Sequence, residues 1–117
     1  MTGHFLIVAD FSILARDLSV TLERMGLGVP LIASSDTQAI EVLSKLDTES
    51  KVALAVLHIA SEEFLRSNLR AVLNESGTQI VMVESDDESE GEPLPYPMLR
   101  KPVFSEDLEK MVQQLLR

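Results

Sequence analysis

Four short apolar runs along the chain each stop at a polar residue. Phe5 to Val8 ends at Ala9-Asp10, Ala53 to Leu57 at His58, Ile80 to Val83 at Glu84, and Met98-Leu99 shortly before Lys101-Pro102. The runs are continuous instead of alternating, as expected of strands covered on both faces by helices. Helical periods lie between them. Leu14, Leu18, Leu22 and Met25 recur at helical spacing, and Gly26 follows as a stop. Val29 to Ala33 reads as a second strand. Ser35 with Gln38 forms a capping-box signature ahead of Ala39, Leu43 and Leu46. Val52 to Leu57 is the third strand, and Ser61 with Glu62-Glu63 opens a helix whose buried stripe is Leu65, Leu69 and Leu73. Gln79 to Val83 and Met98 to Arg100 complete the strands. Ser105 then caps a last helix with Leu108, Met111, Val112 and Leu115 on one apolar face.

This order predicts an α/β fold: a doubly wound, five-stranded parallel sheet with right-handed crossovers and helices on both faces. One crossover lacks a helical pattern. Ser85 to Tyr96 is acidic, holds Gly91, Pro93 and Pro95, and predicts a loop where a fourth helix would stand. With that helix missing, the sheet flank near Val81, Val83 and Leu99 would expose apolar area unless Leu94, Tyr96 and Pro97 fold back over it or a partner docks there. Open sheets of this type gather their sites at the carboxyl ends of the strands, which places Asp10, His58, Glu84 and Lys101 in one crevice.

Size and charge narrow the chemistry. The 117 residues make a single domain, 1–117, with no room for a second. No apolar stretch approaches the ~20 residues of a membrane span, and Met1-Thr2-Gly3-His4 lacks a basic start, so a cytoplasmic protein without membrane contact is expected. The absence of cysteine excludes disulfides, thiolate metal sites and a cysteine nucleophile. A formal charge of -9 argues against direct nucleic-acid binding, which relies on clustered Lys and Arg. Glu84, Asp86, Asp87, Glu88, Glu90 and Glu92 crowd into one window, which reads as a solvated loop or as a docking patch for a basic partner. Gly26-Leu27-Gly28 precedes a strand and so is a helix stop, not a dinucleotide-binding turn. Ser12 and Ser61 have no placed base and suit helix caps. His58 reads as a structural imidazole bonded to its surroundings, with a transition-metal site on Asp10, His58 and Glu84 as the other chemistry these residue types allow.

With its strand ends at Asp10, His58, Glu84 and Lys101-Pro102, the whole chain resembles the receiver domain of bacterial two-component response regulators. The resemblance implies a flavodoxin-like sheet of order 2-1-3-4-5. In that family the first strand ends in an acidic pair that binds magnesium, and the third in the aspartate that accepts a phosphoryl group. A Ser or Thr ends the fourth strand, and a lysine followed by a cis-proline ends the fifth. Here the pair is Ala9-Asp10, the acceptor position is His58, and the hydroxyl position is Glu84 with Ser85 beside it. Lys101-Pro102 alone is intact. Loss of two oxygen ligands removes most of the magnesium site. A fixed Glu84–Lys101 ion pair in place of the phosphoryl contact is one expectation, two separately solvated side chains the other. The family's switch couples the strand-four hydroxyl to an aromatic on strand five, a position held here by Met98.

The resemblance therefore implies a degenerate receiver: no enzyme and no cofactor, binding a signalling or transcription protein, or a second copy of itself, without phosphorylation. Its expected interaction face comprises Leu94, Tyr96, Met98, Leu99, Arg100, Leu108 and Met111. A receiver with a displaced acceptor such as Asp10, and the receiver part of a larger regulator, are the alternatives.

Overall fold

A computed structural model describes residues 3–10, 12–46, 51–59, 61–83, 96–99 and 104–116. Its strands are β1 (Gly3–Val8), β2 (Val29–Ala33), β3 (Lys51–Leu57), β4 (Gln79–Val83) and β5 (Met98–Leu99). The helices are α1 (Ser12–Arg24), α2 (Asp36–Ser44), α3 (Ser61–Arg66), α4 (Asn68–Glu75) and α5 (Ser105–Leu115). All strand pairs are parallel, in the order β2-β1-β3-β4-β5. The sheet matches the expected strand segments and order.

Alternation along the strands splits the core in two. Phe5, Ile7, Leu54, Val56, Val81, Val83 and Leu99 pack with Ala15, Leu18 and Leu22 of α1 and Leu108 and Val112 of α5. Leu6, Val8, Ala55, Leu57, Ile80 and Met82 pack with Ala39, Phe64, Leu69 and Leu73 on the other face. Because both faces are covered, neither polar partner of an alternating pattern appears in these strands, which is why their sequences are continuously apolar.

The sheet flank near Val81, Val83 and Leu99 is covered: all three are buried in the cluster that α1 and α5 complete. Tyr96 does fold back, but over the opposite face: its ring meets Phe64 edge-on at 5.7 Å between centroids, beside Met82 and Met98. The connection itself, with its expected loop and its acidic window, lies outside the described residues.

The β3–β4 crossover carries two helices where one was expected. Ser67 separates them: its backbone is extended, and its N–H and hydroxyl both donate to the Phe64 carbonyl at 3.0 Å. A serine bonding back to the preceding turn competes with helix propagation, and the phase of the apolar stripe shifts. Phe64 is thereby buried, and Leu65, expected inside, is 39% exposed. The other caps show similar local departures. Ser35 caps α2 by accepting from the Gln38 N–H at 3.2 Å, while the Gln38 side chain reaches back to Ser34 instead of Ser35. Phe104, not Ser105, is the cap residue of α5. The Ser105 hydroxyl instead lies 3.2 Å from Thr21 Oγ1 and ties α5 to the third turn of α1.

Two turns constrain the amino end of the sheet. Gly26 (φ 75°) ends α1 as expected, and Gly28 (φ 111°) lets the chain pass against the Gly3 carbonyl on entering β2. On that edge strand the Ala33 carbonyl accepts from the Ala9 N–H at 3.0 Å. Ala33, Leu31 and Val29 therefore turn their peptide groups toward β1, and Pro30 and Ile32 turn theirs outward. Pro30 sits where its missing N–H costs the ladder nothing.

Candidate functional site

Register sets the crevice at the carboxyl end of the sheet. Val8 pairs with Leu57, and the next peptide in line, the His58 N–H, donates to the Val8 carbonyl at 2.7 Å. Asp10 and His58 thus leave adjoining strands side by side. His58 Nδ1 lies 3.6 Å from Asp10 Oδ1. The two environments differ: the imidazole is 5% exposed and the carboxylate 69%. Ala9 is buried, so the first position of the family's acidic pair contributes a methyl group and no oxygen.

Chemically this is an imidazole inside the fold with a solvated carboxylate at its rim. When the ring is protonated the pair is attractive, but water at the carboxylate limits such a contact to about 1 kcal/mol or less. A hard divalent cation prefers several oxygen ligands, and among the described residues this crevice offers Asp10 as its one carboxylate. The Asp10–His58 part of the expected crevice is therefore assembled. Glu84, Ser85, Lys101 and Pro102 lie outside the described residues, and with them the expected ion pair and the third member of the metal trio. The second histidine, His4, opens β1 at the far end of the sheet and takes no part.

The expected interaction face is split between core and surface. Leu99 and Leu108 are core residues, 5% and 1% exposed, and cannot present a surface to a partner. The apolar period of α5 is a packing period, and this is why Leu108 looked equally suited to either role. Tyr96 and Met98 are half-buried against the α2–α4 layer, and Met111 is half-buried against the α1–α5 layer, on the other side of the sheet. The Tyr96 hydroxyl accepts from Arg70 Nε at 3.4 Å. Leu94 and Arg100 lie outside the described residues. Sequence patterning missed a different set, the exposed Ile13, Val20 and Phe104. Ile13 and Val20 fall outside the period that marks the buried face of α1, and that mismatch was the available signal.

A five-stranded parallel sheet of the order β2-β1-β3-β4-β5, with helices on both faces, is the receiver fold. Solved structures agree on this architecture. The receiver domain of the PhyR response regulator from Erythrobacter litoralis superposes with a TM-score of 0.74 at 19% identity, over 98% of this chain and 90% of its own. The PhyR stress response regulator gives 0.75 at 17% identity over 99% of this chain, which spans 45% of PhyR. The chemotaxis response regulator CheY4 of Vibrio cholerae gives 0.70 at 20% identity, covering 98% and 99% of the two chains. No protein-family model and no curated protein matches the sequence. Among the described residues no helix is long and apolar enough to cross a membrane.

Proposed function

We propose that this chain is a receiver-like protein-interaction module that works without being phosphorylated. The observation that carries the reading is His58: an imidazole, and not a carboxylate, follows β3 and stands beside Asp10. An acyl phosphate forms when a carboxylate oxygen attacks a phosphoryl group whose charge a divalent cation neutralises. The residue after β3 brings no carboxylate, and Ala9 removes an oxygen from the cation's side. The module then has no turnover of its own and acts by binding a signalling or transcription protein. Its activity is set by abundance and competition.

A second reading rests on the exposure of Asp10, whose carboxylate a phosphoryl donor can reach. One experiment separates the two. The protein is incubated with acetyl phosphate and magnesium and its intact mass measured. An unchanged mass is the expected result. A phosphoryl adduct that is lost in Asp10→Asn establishes the displaced acceptor, and one retained in that variant but lost in His58→Ala establishes a phosphohistidine.

A further inference from the structure

The exposed face of α1 reads the same in both directions. Ile13, Arg16, Asp17 and Val20 are separated by three, one and three residues, which places them on one side of the helix, and all four are exposed. Ile13 is 77% and Val20 46% exposed. Arg16 and Asp17 are adjacent in sequence, so they do not face one another across a helical turn. Neither belongs to an ion pair among the described residues.

We propose that this face binds a second copy of the chain, with two α1 helices packed antiparallel about a dyad between residues 16 and 17. The dyad brings Ile13 of one chain to Val20 of the second copy, and Arg16 to Asp17 of the second copy. Each contact occurs twice, as an isologous interface requires. The apolar ends bury area and the central charges cancel, so a surface that is half unsatisfied in one chain is complete in two. A helix pair of this size falls at the low end of specific interfaces, and its association depends on protein concentration. The proposal goes beyond the phosphorylation-independent reading, and the two fail separately, since one is measured by mass of an adduct and the other by mass of an assembly.

Sedimentation equilibrium across a concentration series tests it with a charge exchange. The unaltered chain shifts from monomer to dimer. Arg16→Asp and Asp17→Arg each set like charges across the dyad and weaken self-association about tenfold or more. An equimolar mixture of the two variants associates, because one now carries two acids and the other two bases. The double variant Arg16→Asp/Asp17→Arg regains self-association. These substitutions sit on an exposed face, and circular dichroism confirms that each variant is folded. A chain that stays monomeric at every concentration overturns the proposal, as does a dimer that neither single reversal weakens. Rescue in the mixture without rescue in the double variant excludes the dyad at 16/17.

Discussion

At the scale of single residues, position 58 is the one at which the smallest change should alter the chemistry most. His58→Asp introduces a carboxylate where the imidazole is 5% exposed, beside Asp10. A buried acid next to a second acid is unfavourable, and without a cation the variant should lose roughly 1–3 kcal/mol of stability. Magnesium, bound by the new oxygens, should recover part of it, since a ligand of the native state stabilises by mass action. Thermal unfolding with and without magnesium checks this, the unaltered chain showing no magnesium dependence; equal midpoints for the variant in both conditions would mean that the two positions do not converge on a cation. Glycines give a second residue-scale contrast. Gly28→Ala places a Cβ against the Gly3 carbonyl at φ 111°, whereas a Cβ at Gly26 meets open space at φ 75°. The Gly26 substitution should cost about 1–2 kcal/mol, the price of the left-handed conformation alone, and the Gly28 substitution clearly more, as measured by urea unfolding. The polar ends of the first and third runs, Asp10 and His58, were readable because strand length and burial fix them. The cap residue of α5 was not: Ser105 has the right side chain for capping, and only the approach of Thr21 in space gives its hydroxyl another partner.

At the scale of elements, the α3–α4 break decides which side chain enters the core. Phe64→Ala should cost about 3–5 kcal/mol, because a fully buried aromatic and its contact with Tyr96 are lost together. Leu65→Ser should change stability by less than about 0.5 kcal/mol. Urea titration of the two variants settles the phase: similar losses would mean a single unbroken helix with Leu65 inside. Periodicity alone favoured that unbroken helix, since Leu65, Leu69 and Leu73 have the right spacing. The interruption comes from one hydroxyl bonding to its own preceding turn, which a hydrophobic pattern does not register. The strands tell the opposite story. β2 and β4 both coincide with the expected segments; β4 is buried along all but its first residue, and a run buried on both sides has no second way to satisfy its side chains.

At the scale of the whole molecule, the sheet order followed from the alternation of strand and helix together with the family resemblance. The assignment of residues to the two faces did not. Leu99 and Leu108 were expected on a partner-binding face and belong to the core. Leu108→Ala should therefore lower stability by about 2–5 kcal/mol whether or not a partner is present. A loss confined to partner affinity, with the denaturation midpoint unmoved, would return Leu108 to the surface. Face assignment needs the direction in which each strand starts its alternation, and a continuous apolar run hides that parity. Pro30 has a consequence at this same scale. A foreign strand laid along the outer margin of β2 would meet a ring where it needs a hydrogen to bond. Lateral extension of the sheet by neighbouring molecules is obstructed there, so on that flank copies of this protein can meet through their helices without zipping into fibrils.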